Sequence, residues 1–218
     1  MECGEDVIDM RKQKVSSAVI RRLPRYYRHL NDLHQTGVER ISSNALGKSM
    51  GLTASQIRQD LSCFGEFGQQ GYGYNVDKLR REVSEILGMN GGHTAVILGV
   101  GNLGRALMEN FHFQRSGVVL SAAFDISPDI VGWEFSGVPV RHVDQLESYL
   151  AQSPASIGVL TVPRSAANQI AGRLVRAGVR GIWNFTNIEL TVDAPDVVIE
   201  DVHFADSLLT LSYRIANR

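Results

Sequence analysis

Gly99-Val100-Gly101-Asn102-Leu103-Gly104 follows directly on a β-branched, apolar run from Thr94 to Leu98 and leads into a helical pattern from Arg105 to Phe113. Three glycines at this spacing, between a strand and a helix, suit a dinucleotide pyrophosphate. Gly99 makes the tight turn, Gly101 lets the backbone come up to the phosphates, and Gly104 lets the helix pack on the sheet. The unpaired N–H groups at the helix start face the same anion. Asp125 closes the next apolar run, Val118 to Phe124, twenty-one residues beyond Gly104. An acid there hydrogen-bonds the adenosine ribose hydroxyls and repels a 2′-phosphate. The following Ile126, Ser127 and Pro128 supply no Arg to receive one, so the spacing favours NAD(H) over NADP(H). A carboxylate that merely caps the following turn is the alternative.

The alternation continues with a helix over Asp144 to Gln152, a strand over Ser156 to Thr161, a helix over Ser165 to Ala177 and a strand over Gly181 to Phe185. Such a series builds a doubly wound parallel sheet, with ligands at the carboxyl ends of its strands. Thr161, Val162 and Pro163 after one strand, and Asn184, Phe185 and Thr186 after the next, are therefore expected to line the nicotinamide side. A small dehydrogenase would also need a substrate domain and a proton-transfer residue beside the ring. About ninety residues remain after Asp125, enough only to finish the sheet, and His112, His142 and His203 have no partnered arrangement in sequence. No catalytic set is expected. A Rossmann-type module for coenzyme A or another nucleotide remains the third reading.

A second chemistry precedes the first. Val19, Leu23, Tyr26, Leu30 and Leu33 recur at helical spacing, with Pro24 suited to a first helical position and Gly37 ending the helix. Ser42 or Ser43 can cap a short helix to Met50, and Gly51-Leu52-Thr53 gives a turn with a fresh cap at Thr53. Two short helices about a glycine turn spell helix-turn-helix. On the second, from Ala54 to about Phe64, Ala54, Ile57, Leu61 and Phe64 share one side, while Ser55, Arg58, Gln59 and Ser62 share the other. Arg reads guanine and Gln reads adenine in the major groove, and Gln56 joins them as a candidate contact. An ordinary solvated face is the alternative. Gly65 to Asn75, rich in Gly and aromatics, reads as a two-stranded ribbon, a wing whose Gly71, Tyr72 and Gly73 approach a phosphate backbone. Val76, Leu79, Val83, Ile86 and Leu87 make a last amphipathic helix.

Charge agrees with this division. The 218 residues carry a net −1, but residues 11 to 75 hold ten Lys/Arg against four Asp/Glu, a local +6, and residues 76 to 218 a local −3. A basic segment joined to an acidic one is the pattern of a polyanion binder attached to another domain, though a solvated basic face has the same charge. The two cysteines, Cys3 and Cys63, are too few for a zinc site or a disulfide framework, so no metal is expected. No apolar run approaches the roughly 20 residues of a bilayer helix, and the first ten residues hold four acids and no base. A cytoplasmic protein without a membrane partner is the expectation.

Over essentially its whole length the chain resembles the Rex family of redox-sensing transcriptional repressors. The resemblance rests on Arg58-Gln59-Asp60-Leu61-Ser62, Phe64-Gly65-Glu66-Phe67-Gly68, Gly71-Tyr72-Gly73-Tyr74, the glycine fingerprint at 99 to 104, Ala122-Ala123-Phe124-Asp125, Thr161-Val162-Pro163 and Asn184-Phe185. It implies a homodimer that binds double-stranded operator DNA near genes of fermentation and respiration, with NADH releasing the complex and NAD+ permitting it. It also implies that the C-terminal helix, with its stripe Phe204, Leu208, Leu211 and Ile215, is exchanged between subunits; packing on its own sheet would explain the stripe as well. The expected order is thus a winged helix-turn-helix at 1–88, a Rossmann-like NAD(H) domain at 89–203 and a dimerisation helix at 204–218. The chain departs from the family pattern at Gln59 and Gln69-Gln70, where basic residues are usual. It departs again at Asn110 and His203, where Tyr and Asp are common, and at Asn187, where Pro is common.

Overall fold

The computed structural model describes residues 15–65, 67 and 72–217. They divide between Asn90 and Gly91 into two compact units.

The first unit opens with α1 (Ser17–Gln35), capped by Ser16, and buries Val19, Leu23, Tyr26 and Leu30 along one stripe. Pro24 lies inside this helix and not at its start. A proline in mid-helix costs about 3 kcal/mol. A later start would give up the buried side chains of Val19 and Leu23 and the Arg22 contact described below, and these offset that cost. The short strand β1 (Arg40–Ile41) leads to α2 (Ser43–Met50), a left-handed cap at Gly51, and α3 (Ala54–Ser62). Then come β2 (Tyr74–Asn75) and α4 (Val76–Ile86), which starts on the Asn75 side chain. Leu30, Leu46, Ile57, Leu61, Val76, Leu79 and Val83 close one core among the four helices.

The last residues of the expected wing ribbon, Tyr74 and Asn75, pair with a strand that precedes the helix-turn-helix. β2 pairs antiparallel with β1, Tyr74 opposite Ile41 and Asn75 opposite Arg40. The return strand is therefore tied to the segment ahead of the helix-turn-helix. Of the ribbon itself, Glu66 and Gly68 to Gly71 lie outside the described residues.

The second unit carries β3 (His93–Leu98), α5 (Asn102–Asn110), β4 (Val118–Asp125), β5 (Glu134–Phe135), β6 (Val138–His142), α6 (Leu146–Gln152), β7 (Ile157–Leu160), α7 (Arg164–Arg176), β8 (Gly181–Asn184), β9 (Val198–Asp201) and α8 (Phe204–Ala216). The sheet runs β5-β6-β4-β3-β7-β8-β9. Every pair is parallel except the β5–β6 hairpin, whose turn residues Ser136 and Gly137 both take positive φ. Without that edge hairpin strand, the order is the 3-2-1-4-5-6 of a doubly wound fold, and it reverses between β3 and β7. Alternate residues face opposite layers. Val96, Leu98, Ala122, Phe124 and Leu160 pack with Leu146, Leu150, Ile170 and Leu174. Ile97, Ala123 and Val159 pack with Met108, Phe113 and Phe185. The helix after the glycines starts earlier than its apolar pattern does and stops at Asn110. There the backbone turns extended at Phe111, whose ring meets Phe113 at 4.9 Å and Trp183 at 5.2 Å.

α8 has no buried residue. Phe204, Leu208, Leu209, Leu211, Tyr213 and Ile215 are all more than half exposed, so packing on the chain's own sheet does not account for the stripe.

Candidate nucleotide site and nucleic-acid interface

The glycine loop sits at the point where the strand order reverses. Gly99 adopts φ 93°, a left-handed conformation that favours glycine, and a side chain there would drive into the Thr161 backbone, 2.7 Å from its carbonyl oxygen. The Thr161 hydroxyl in turn donates to the Gly99 carbonyl at 2.6 Å, pinning β3 to β7 at their carboxyl ends. Gly104 lies against the Gly99 carbonyl and, for a Cβ built there, 2.9 Å from the Thr161 hydroxyl oxygen. At Gly101 the same construction meets nothing within 4 Å. Gly101 is also the N-cap of α5 and offers no side-chain hydrogen bond to the helix. Open space over Gly101, in front of an uncapped helix N-terminus, is the shape and polarity that a pyrophosphate requires. Val100 is buried in the core, whereas Asn102 is exposed and Leu103 half-buried.

Asp125 closes this cradle from β4. Its Oδ2 accepts from the Val100 N–H at 2.6 Å and its Oδ1 from the Ser127 N–H at 2.9 Å. The carboxylate therefore both caps the following turn and holds the glycine loop. With about four acceptor positions, it keeps two for ribose hydroxyls. Ile126 beside it is largely exposed. On the β7 side, Thr161 and Val162 are half-buried and Pro163 is exposed at the start of α7.

The segment after β8, expected to line the nicotinamide side, is bonded to its own turn. Asn184 is buried. Its Nδ2 donates to the Ile188 carbonyl at 2.8 Å and to Asp201 Oδ1 at 2.7 Å, while its Oδ1 accepts from the Thr186 N–H at 3.0 Å and hydroxyl at 2.6 Å. All four positions of the amide are used, and the Thr186 hydroxyl proton with them. Phe185 is buried, 4.7 Å from the Trp183 ring. These three residues build the turn to β9, with the Asn184 amide and the Thr186 hydroxyl proton engaged inside it. His112 is exposed, and His142 and His203 are half-buried. Among the described residues no group of His, Cys, Asp and Glu could hold a metal ion.

In the first unit, the side chains of Ser42 and Thr53 cap α2 and α3, accepting from the N–H groups of Ala45 and Gln56 at 3.1 Å each. Ser55, Arg58, Gln59 and Ser62 are exposed along one face of α3. Arg58 donates to the Ser43 hydroxyl at 3.1 Å, which holds its guanidinium over the turn. Tyr72 is exposed. Gly73, at φ 68°, packs so closely that a Cβ would lie 2.6 Å from the Ile41 carbonyl oxygen; its lack of a side chain serves β1–β2 pairing. Gly71 lies outside the described residues.

Gln56 is not part of the outward face. Its amide donates to Asp60 at 2.7 Å. Asp60 is fully buried and escaped the reading of sequence, although it falls between Ile57 and Leu61 on the helix. Arg22 donates to it through Nε at 2.7 Å and Nη2 at 2.8 Å, and the Tyr26 hydroxyl at 2.9 Å. Burial opposes ionisation of this carboxyl, yet the hydrogen bonds from Arg22, Gln56 and Tyr26 outweigh it and hold its pKa below the ordinary 3.8. An arginine on the inner face of α1 was the available signal.

Residues 14–62 match the family described as "Putative DNA-binding protein N-terminus" and residues 90–188 that described as "CoA binding domain". Redox-sensing transcriptional repressor Rex of Thermoanaerobacter pseudethanolicus is 49% identical over 205 residues, covering 94% of this chain and 91% of its own. That of Clostridium botulinum is 45% identical, covering 94% and 97%. The chain belongs to the Rex family of redox-sensing transcriptional repressors. A crystal structure of RSP, a Rex-family repressor, in complex with β-NAD+ and operator DNA superposes with a TM-score of 0.88 at 48% identity, covering 94% of each chain. RSP in complex with β-NADH gives 0.87 at 46%, covering 94% and 96%.

Against the Rex pattern, Asn110 is exposed and donates to its own helix at the Ala106 carbonyl, 3.1 Å away. His203 precedes α8 without a side-chain cap bond. Asn187 takes φ 55°, which Asn tolerates and a proline ring forbids. The Asn187 carbonyl accepts from Arg164 at 3.0 Å. Among the described residues no helix is long and apolar enough to cross a membrane.

Proposed function

We infer that this chain represses transcription by holding operator DNA through its first unit and releasing it when NADH occupies its second. The observation that carries the cofactor half is the open, uncapped cradle at Gly101, flanked by Gly99, Val100, Asn102, Leu103 and Gly104 and closed by Asp125. In this reading the loop and α5 hold the pyrophosphate, Asp125 and Ile126 the adenosine side, and Thr161, Val162 and Pro163 the nicotinamide side. Asn184, Phe185 and Thr186 support that floor from below. NAD(H) supplies a ring that loses one positive charge on reduction. Arg58 and Gln59 read bases, Ser55 and Ser62 flank them, and Ser42, Ser43, Thr53, Gly71 and Tyr72 approach phosphates.

The repressor works as a cytoplasmic homodimer, with α8 buried against the partner copy. A six-residue apolar helix surface left in water by the single chain supports this. Release requires NADH to favour a dimer whose recognition helices no longer match half-sites about 34 to 36 Å apart, because a ligand shifts an equilibrium only by its differential affinity. The test is a mobility-shift titration at fixed salt on a duplex that the protein selects from a random library, with NADH and NAD+ in turn. Retention that ignores the ratio of the two nucleotides would refute the reading. Turnover of common 2-hydroxy acids or alcohols would instead favour a dehydrogenase.

A further inference from the structure

The carboxylate of Asp60 accepts four hydrogen bonds, from Arg22 Nε at 2.7 Å and Nη2 at 2.8 Å, from Tyr26 Oη at 2.9 Å and from Gln56 Nε2 at 2.7 Å. An ionised carboxylate offers about four acceptor positions, so this one is saturated. Two of the three donor residues come from α1, one turn apart, and the acceptor comes from the last turn of α3. Ile57 and Leu61 also bind α3 to the core, but apolar contact is non-directional and resists rolling weakly. A forked arginine–carboxylate pair fixes direction as well as distance. A roll of about 20° would move a side chain about 6 Å from the helix axis by about 2 Å, enough to break a base-edge hydrogen bond. Stability alone does not call for such a pair, because well-packed apolar replacements of a buried ion pair are often neutral or stabilising.

We propose that the buried Arg22–Asp60–Tyr26 cluster sets operator specificity by fixing the roll of α3 on α1, with Asp60 a positioning residue that does not touch DNA. The proposal rests on the reading of α3 as the recognition helix. Its effect falls on Arg58, which lies across α3 from Asp60, and on Gln59, about 100° round the helix from it; both are exposed. Phosphate contacts, which carry no sequence information, are spared.

The experiment measures the full-length chain on two duplexes, one enriched by the wild type from a random-sequence library and one scrambled from it. The variant is the apolar swap Arg22→Met with Asp60→Leu, with its melting temperature recorded. The expected result is a folded chain whose melting temperature falls, because the buried Tyr26 hydroxyl loses its acceptor, with affinity for the scrambled duplex within about twofold and a loss of at least about tenfold on the enriched one, the scale of one misread base pair. Tyr26→Phe, which keeps the ion pair and removes one donor, is expected to lower the ratio by about two- to fivefold, on the scale of one net hydrogen bond. An unchanged ratio in a folded double variant overturns the proposal, as does an equal loss on both duplexes. Should the double variant fail to fold, an unchanged ratio in Tyr26→Phe overturns it. A wild type that enriches no duplex refutes the DNA-binding reading instead.

Discussion

Replacing Gly101 and Gly104 by alanine separates the ligand cradle from the fold. At Gly101 the added methyl meets nothing within 4 Å, and φ −71° with ψ −166° is ordinary extended backbone. Gly101→Ala is therefore expected to leave the second unit folded near wild-type stability, since the gain of about 0.4–1 kcal/mol from a less flexible unfolded chain is offset by the poorer helix N-cap that Ala makes. The same methyl projects into the space assigned to the pyrophosphate. Forcing one methyl into a filled site costs about 1–3 kcal/mol, which at about 1.4 kcal/mol per tenfold weakens NADH by about 5- to 150-fold. Gly104→Ala has the opposite profile: its methyl strikes the Gly99 backbone and approaches the Thr161 hydroxyl oxygen to 2.9 Å, so α5 must shift and the melting temperature must fall. Fluorescence titration with NADH, alongside thermal melting of both variants, reads the two quantities separately. A Gly101→Ala protein that binds NADH as the wild type does would remove the loop as the phosphate cradle.

Asp125→Ala should raise the dissociation constant for NADH at least about tenfold, the scale of a hydrogen bond to a charged group, and bring NADPH level with NADH in calorimetric titration. An undiminished preference for NADH would place the ribose elsewhere. Arg58→Ala should lower operator affinity by about 5- to 150-fold, the worth of one bidentate base contact, with NADH binding retained; fluorescence anisotropy checks the first and titration the second. The Asp60 carboxyl titrates below its ordinary 3.8 in the folded chain, so its contribution is full above that value and disappears as pH falls through the lower, folded one. Acid unfolding followed by circular dichroism should therefore show the stability gap between wild type and Asp60→Asn closing below about pH 4. A gap that widens on acidification would refute the sign.

The glycine loop and Asp125 were legible because strand, turn and helix each impose their own spacing on neighbouring residues, and the alternation around them pointed to a doubly wound parallel sheet. β9 and the β5–β6 hairpin were not, being two to five residues long. The β1–β2 pairing joins Arg40 to Asn75, a long-range contact of two residues that leaves no period to read. On α3 the outward polar face was legible. The commitment of Gln56 to Asp60 was not, since periodicity says which side a residue takes and nothing of its partner. Asn184 and Thr186 show the same limit. The end of a β-strand locates them, but the partners of their side chains, Ile188 and Asp201, are set by tertiary contact that strand spacing does not carry. Pro24 misled as a helix start because local preference yielded to the stripe on either side of it.

The saturated amide of Asn184 also fixes where α8 is rooted. Asn184 grips Asp201 at 2.7 Å through its side chain and receives the Val202 N–H on its carbonyl at 2.8 Å, so the chain is clamped to the sheet up to Val202. α8 begins at Phe204. One residue, His203, joins that clamp to a helix 13 residues long, about 20 Å from end to end. A swing of about 10° at that single residue carries the far tip about 3.5 Å, which turns a small adjustment at the root into a displacement the size of a side chain.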